Sequence, residues 1–115
     1  KQGKGVIILT ASGAGVTGGS SSFAYGSSKG GVHGLALVME AHLAKYNIRV
    51  NDVLPGAVQT PLKVTNVEEM HEAGGREGNL EAKIDALVSP DDISKVYAFL
   101  ASDEASMVKG SVRTR

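Results

Sequence analysis

The sequence has no cysteine and no excess of either charge, because 12 lysines and arginines balance 12 aspartates and glutamates. Without thiols the chain has no disulfide scaffold and no thiolate metal site. No basic cluster indicates nucleic acid or an anionic membrane as a partner. No apolar stretch approaches the length of a membrane span. These absences predict a cytoplasmic protein that binds neither nucleic acid nor membranes.

The composition is that of one globular domain, with 42% hydrophobic and 21% charged residues among 115. The chain opens without methionine almost directly into an apolar run, and it ends where another strand could begin. We therefore expect residues 1–115 to be part of a single domain that belongs to a longer protein.

Two strands and a long helix are predicted in the first half of the chain. The apolar segment Gly5–Thr10 predicts a buried strand, and Ile48–Leu54, which ends at the turn signal Pro55-Gly56, predicts a second. Apolar residues at helical spacing predict a helix over Tyr25–Tyr46. A strand, helix and strand in this order predict parallel strands with a right-handed crossover.

The remaining segments give weaker patterns. Small residues over Ala11–Ala24 predict a long loop, and the polar stretch Thr60–Asn79 predicts a mobile segment with a short helix around Val67–Ala73. A weak helix is predicted over Leu80–Val88. A stronger one starts at Ser89-Pro90-Asp91-Asp92, where a serine N-cap precedes a proline and two acids in the first turn.

The stretch GAGVTG, Gly13 to Gly18, fits the G-x-G-x-x-G pattern of a loop that binds a dinucleotide pyrophosphate. Such a loop needs a helix that starts at its last glycines and an acidic residue about 20 residues further on. Here the loop-like GGSSSFA follows, and Asp52 lies 34 residues after Gly18. This context favours a loop beside a ligand. A helix that starts near Gly18 would instead favour a nucleotide-binding module.

Tyr25 and Lys29 are four residues apart at the start of the long helix, which places them on one face. An ammonium and a helix N-terminus both stabilise a phenolate, so this tyrosine could serve as a general acid or base. Ser12 follows the first predicted strand and Pro55-Gly56 the second. Because ligands bind at the carboxyl ends of parallel strands, these groups should converge at one edge.

Several motifs, in order along the chain, resemble the short-chain dehydrogenase/reductase family. Ser12 stands thirteen residues before Tyr25, and YGSSK at 25–29 fits Y-x-x-S-K. The segments IRVN at 48–51 and PGAVQT at 55–60 together fit I-R-V-N-x-V-x-P-G-x-V-x-T. FLASDEA at 99–105 is similar to the family's late helix, and Gly110 to the glycine before its last strand. The resemblance covers nearly the whole chain.

The resemblance implies an α/β fold, a Rossmann-like doubly wound parallel sheet in three αβα layers. Residues 1–115 would be its C-terminal part, without the N-terminal half and the last strand, and 61–88 would be the substrate-covering region. It also implies NAD or NADP as cofactor, a small alcohol or ketone as substrate, and a homo-oligomer in the intact protein. The family's T-G-x-x-x-G-x-G signature and its NAD or NADP selector are absent, so the isolated chain is expected to be inactive.

By the same resemblance, Tyr25 would exchange a proton with the substrate oxygen while hydride moves between a nicotinamide and the substrate carbon. Lys29 would assist the tyrosine and bind the nicotinamide ribose, and Ser12 would hold the substrate oxygen. The cofactor-binding residues would be Tyr25, Lys29, Pro55, Gly56, Val58 and Thr60.

Other polar residues give no competing site. Glu68-x-x-His71 is half of a di-iron motif without its second copy, and His33 and His42 are not paired as zinc ligands are. No histidine is placed near Ser12 by the sequence, so we predict neither a metal site nor a hydrolase. One further interpretation stays open: a non-catalytic fragment or remnant that associates at most through its long helix.

Overall fold

The computed structural model describes residues 3–18, 22–56, 61–74 and 80–114, whose strands form one parallel sheet. The strands are β1 (Gly5–Thr10), β2 (Ile48–Leu54) and β3 (Gly110–Arg113), in the order β1-β2-β3. β2 is central and covered on both faces, so Val50 to Leu54 are all buried, including the polar residues Asn51 and Asp52.

One detail of the sequence prediction is wrong. The last strand of the fold was predicted to be absent from the chain, but β3 is present. Gly110–Arg113 pairs in parallel with β2, with Asn51 opposite Gly110 and Leu54 opposite Arg113. Gly110 has φ +80°, a left-handed conformation that glycine adopts without strain. The chain can therefore turn into β3 at this residue.

Five helices occur in the described residues. Their bounds are α1 (Gly13–Thr17), α2 (Phe23–Leu43), α3 (Pro61–Glu72), α4 (Leu80–Asp85) and α5 (Pro90–Ala101). Two 3-10 turns extend helices, Ala44–Tyr46 after α2 and Asp103–Ala105 after α5. No helix within these described segments is long and apolar enough to cross a membrane.

The long loop predicted over Ala11–Ala24 is wrong in part, because it contains α1. The Ser12 side chain accepts a hydrogen bond from the Ala14 amide and so caps the start of this helix, and Gly18, with φ +76°, caps its end after Thr17. α2 starts at Phe23, two residues before the predicted start, because Ser22 caps it by accepting from the Tyr25 amide. Small residues had indicated a loop, but two serine caps nucleate helices there.

The later helices follow the prediction more closely. α5 begins as expected, with the Ser89 side chain accepting from the Asp91 amide at 3.2 Å and Pro90 at the first helical position. α4 lies within the predicted Leu80–Val88. The helix predicted around Val67–Ala73 begins earlier, at Pro61, a residue type that is favoured in the first turn of a helix.

The sheet is covered on both faces. On one face Val53 packs with Leu100 of α5 and with Ala105, and these three residues form a buried apolar cluster. The alternate residues Val50 and Asp52 point to the opposite face, where α2 lies and buries Ala36. This layering places the first turns of α2 beside the carboxyl ends of β1 and β2.

Candidate active site

The carboxyl ends of β1 and β2 lie at one edge of the sheet, as the sequence predicted. Thr10 stands opposite Val53 in the strand register, and the Ala11 amide donates to the Val53 carbonyl at 2.9 Å. Ser12 leaves β1 at this edge, and Pro55-Gly56 leave β2 at the same edge. The Gly56 amide donates to the Thr114 hydroxyl at 3.2 Å, which ties this turn to the end of β3.

Ser12 is partly buried at the start of α1. Its hydroxyl oxygen accepts from the Ala14 amide at 3.2 Å, and its backbone is extended, with φ −159°. This bond occupies a lone pair of the oxygen and does not consume the hydroxyl proton. The N-cap thus fixes the position of a hydroxyl that retains the capacity to donate.

Tyr25 and Lys29 occupy the first two turns of α2. The Tyr25 side chain is half exposed, whereas Lys29 is partly buried and its Nζ donates to the Thr10 carbonyl at 3.3 Å. This bond joins the helix to the last residue of β1, so the Tyr25–Lys29 face of α2 lies at the carboxyl edge of the sheet. The N-terminus of α2 adds positive potential near the phenol.

The glycines of GAGVTG serve a backbone contact between α1 and α2. A Cβ added to Gly15 would lie 2.4 Å from the Gly30 nitrogen and 2.6 Å from the Lys29 carbonyl carbon. A Cβ on Gly30 would lie 3.1 Å from the Gly15 oxygen. Only glycine permits this approach, which holds the loop with Ser12 against the turn with Lys29.

The same contact answers whether GAGVTG holds a pyrophosphate. Within the described residues no helix starts at Gly18, since α1 ends at Thr17 and α2 starts at Phe23. The space in front of Gly15 is filled by the Gly30 backbone. The helix start that would have favoured a nucleotide-binding module built on this motif is therefore not found among the described residues.

The remaining predicted site residues are placed only in part. Pro55 is partly buried and Gly56 is exposed at the sheet edge, whereas Val58 and Thr60 lie outside the described residues. His71 of the half di-iron pattern contacts the Lys83 ammonium through its Nδ1 at 3.2 Å, a bond from α3 to α4. The described residues contain no group of three or more His, Cys, Asp or Glu side chains able to hold a metal ion.

One polar cluster was missed by the sequence analysis. His33 of α2 donates from Nδ1 to Asp52 Oδ2 at 2.8 Å, and the Ser111 hydroxyl of β3 donates to Asp52 Oδ1 at 2.5 Å. The Ser111 oxygen also lies 3.3 Å from His33 Nδ1. A nucleophilic triad needs its serine and its aspartate on opposite ring nitrogens. Here both contact Nδ1, so the cluster is not a hydrolytic triad.

This geometry defines a class of protein, an α/β protein with a polar site at the carboxyl edge of a parallel sheet. The family model for enoyl-(acyl carrier protein) reductase matches residues 1–114. The 3-oxoacyl-[acyl-carrier-protein] reductase FabG of Thermotoga maritima is 35% identical over 112 residues, which are 97% of this chain and 44% of the relative. The cyclohexanol dehydrogenase of an Acinetobacter species is 39% identical over 109 residues, 95% of this chain and 41% of the relative.

A solved structure is similar in fold as well as in sequence. The short chain dehydrogenase from Mycobacterium paratuberculosis bound to NAD superimposes with a TM-score of 0.75 at 32% identity, over 96% of this chain and 44% of that one. The chain belongs to the short-chain dehydrogenase/reductase family, as its motifs implied. It spans less than half the length of the relatives that it matches.

Proposed function

We propose that the protein containing this chain is an NAD- or NADP-dependent oxidoreductase that interconverts a small alcohol and its ketone. The observation that carries the proposal is the Lys29 bond to the Thr10 carbonyl, which joins the second turn of α2 to the end of β1, the strand that Ser12 follows two residues later. A phenol, an ammonium and a hydroxyl at one edge form a donor set suited to a carbonyl oxygen. Membership in a family of dehydrogenases and reductases supports the same reaction.

In the reduction direction, Tyr25 gives its hydroxyl proton to the substrate oxygen, and in the oxidation direction it takes that proton back. The Ser12 hydroxyl donates a hydrogen bond to the same oxygen. This bond orients the carbonyl and stabilises the negative charge that develops on its oxygen. The Lys29 ammonium stabilises the phenolate that Tyr25 becomes after proton loss. When bound, a nicotinamide would supply or accept the hydride that completes the two-electron change.

The donors of this chain fit the nicotinamide ribose end of such a cofactor and not its pyrophosphate. Lys29 would donate to ribose hydroxyls, with Tyr25 beside it. Gly15, the middle glycine of the only phosphate-loop pattern in the sequence, has its space filled by the backbone of α2. The turn after β2 would seat the nicotinamide itself, through Pro55, Gly56, Val58 and Thr60.

The substrate and the assembly belong to the same proposal. Cyclohexanol dehydrogenase takes its name from a small cyclic alcohol, which supports a small alcohol or ketone as substrate here. Residues 61–88, which include α3 and α4, would cover the substrate. The intact protein would be a homo-oligomer. The rival interpretation, a non-catalytic remnant, is not favoured, because the similarity to named reductases and dehydrogenases extends over nearly the entire chain.

The first test is the intact mass of the natural gene product. A mass of about 25 to 30 kDa, near the ~250 residues that one α/β domain commonly reaches, would supply room for a pyrophosphate site. A mass near the 11.9 kDa of this chain would contradict an active enzyme and favour the remnant.

The second test is turnover of cyclic secondary alcohols and ketones by that gene product, followed by nicotinamide absorbance with NAD and with NADP. We expect Tyr25→Phe to lower kcat by at least about 100-fold, because the acid/base proton is lost. Tyr46→Phe is the matched control, since Tyr46 is exposed on the turn after α2 and should leave kcat unchanged. Equal turnover by the two variants would remove Tyr25 from the mechanism.

A further inference from the structure

Asp52 is a carboxylate placed in the middle of the sheet. It lies on the central strand with no exposed surface, and both of its oxygens are occupied, one by His33 and one by Ser111. A buried carboxylate is costly unless hydrogen-bonded partners compensate for its lost hydration. An apolar residue would fill this site without that cost, so the polar cluster calls for an explanation beyond packing.

The cluster joins three elements at defined positions. His33 comes from α2, Asp52 from β2 and Ser111 from β3. Asp52 and Ser111 are direct partners in the strand register, so the serine braces the carboxylate from the adjacent strand. His33 is 25% exposed at the side chain while Asp52 is fully buried, so the histidine reaches inward from the helix to the sheet.

His33 continues the face of α2 that carries the proposed catalytic groups. Tyr25, Lys29 and His33 follow one another at intervals of four residues, which places them on one side of the helix in successive turns. Lys29 ties that side to the end of β1 through Thr10. His33 ties the same side, one turn later, to the middle of β2.

Two bonds from one helix face to two strands fix both the rotation and the axial position of α2. If the His33 bond were lost, the helix would keep the Gly15–Gly30 contact and the Lys29 bond to Thr10, but it could rotate about these neighbouring contacts. A displacement of about 1 Å at a reacting group can lower turnover by about 100-fold. The groups that would be displaced are Tyr25 and Lys29.

We propose that His33, held by Asp52 and Ser111, is a positioning residue that sets the placement of Tyr25 and Lys29 at the carboxyl edge. The inference rests on the proposed function and goes beyond it, because no step of the reaction described above uses these three residues. Ser111 and Asp52 act only through His33, and none of the three contacts the reacting atoms.

The test compares two amides at position 33 in the full-length gene product. In asparagine the amide nitrogen is attached to Cγ, as Nδ1 is in histidine, so His33→Asn can donate to Asp52 from the same place. His33→Gln carries its amide one carbon further out and cannot. We expect His33→Gln to lower kcat about tenfold or more with KM changed by less than about threefold. We expect His33→Asn to retain at least about half of the wild-type kcat.

The control is His42→Ala, an exposed histidine on the same helix, which should match the wild type. Thermal unfolding of each variant separates positioning from folding. A merely structural role would lower Tm without lowering kcat at a nearly constant KM. If His33→Gln does not fold, Ser111→Ala replaces it. That variant removes one brace of Asp52 and should lower kcat measurably, also at constant KM.

The outcomes separate this inference from the proposed function. A wild-type protein that turns over no alcohol or ketone with either cofactor overturns both. An active wild type whose His33→Gln or Ser111→Ala variant keeps full kcat overturns the positioning role alone. Equal losses in His33→Asn and His33→Gln overturn it as well, because the position of the donor would then not matter.

Discussion

At the scale of single residues, the pair Gly15 and Gly30 decides how the candidate site is built. Gly15 belongs to a motif that the sequence alone associates with phosphates, yet its partner is a protein backbone on α2. The missing side chains let Ser12 and Lys29 be held by helices whose backbones touch. The two glycines therefore allow a close contact between α1 and α2 that larger residues would prevent, because any Cβ at Gly15 would overlap α2.

Gly15→Ala should destabilise the protein by about 1 to 3 kcal/mol, the usual range for forcing an added methyl group into a packed contact. The cause is the 2.4 Å approach of the new Cβ to the Gly30 nitrogen, which backbone atoms cannot relieve by rotation. Gly31→Ala is the matched control. It lies in the interior of α2 with nothing within 4 Å of an added Cβ, and it should stabilise by about 0.5 to 1 kcal/mol. Denaturant unfolding of both variants measures the difference, and equal midpoints would contradict the contact.

At the scale of secondary-structure elements, the sequence predicted those features that depend on residues close together in the chain. The start of α5 followed from Ser89 and Pro90, and parallel pairing of β1 and β2 followed from a helix between two apolar strands. α1 was missed because its cap, Ser12, lies among small residues that also suit a loop. The convergence of Ser12, Tyr25 and Pro55-Gly56 at one edge could be predicted from the sequence, because the positions of strand ends follow from the topology alone.

The cluster of His33, Asp52 and Ser111 could not be predicted in this way. Its members come from a helix and two strands separated by 19 and 59 residues. No spacing rule links such positions, and their contact depends on the register of β2 against β3. A carboxylate within the predicted strand IRVNDVL was the one available signal, since a buried charge requires a partner.

A prediction about the secondary-structure elements concerns Arg49, which joins β2 to the end of α5. Its guanidinium donates from β2 to the Leu100 and Ser102 carbonyls, each at 3.0 Å, at the C-terminal end of α5. Arg49→Met should lower the free energy of unfolding by about 1 to 3 kcal/mol, since carbonyls at the helix end lose charged donors. Lys95→Met is the control on α5. Its exposed pair with Asp92 should contribute less than about 1 kcal/mol. Urea midpoints that fall equally would show that the helix end does not depend on Arg49.

At the scale of the whole molecule, the described sheet has an unpaired edge at each of its outer strands, β1 and β3. β1 pairs with β2 alone among the described strands, so the other backbone edge of β1 has no strand beside it. Leu35, Leu37 and Val38 of α2 are about half exposed. Open strand edges and exposed apolar side chains favour association, so the isolated chain should be marginally stable or prone to aggregate. These features agree with a chain that spans less than half the length of its relatives.

The isolated 115-residue chain should therefore bind neither NAD nor NADP tightly. The proposed site would hold only the nicotinamide ribose end, and Gly15 has no room for a phosphate because Gly30 occupies that space. We expect a dissociation constant of about 1 mM or weaker by titration calorimetry, with the full-length gene product as the positive control. A constant of about 1 µM would require about 4 kcal/mol more binding free energy than that. Such a value would mean that this half of the family's fold carries a phosphate site of its own, and the assignment of the pyrophosphate to the remainder of the protein would be wrong.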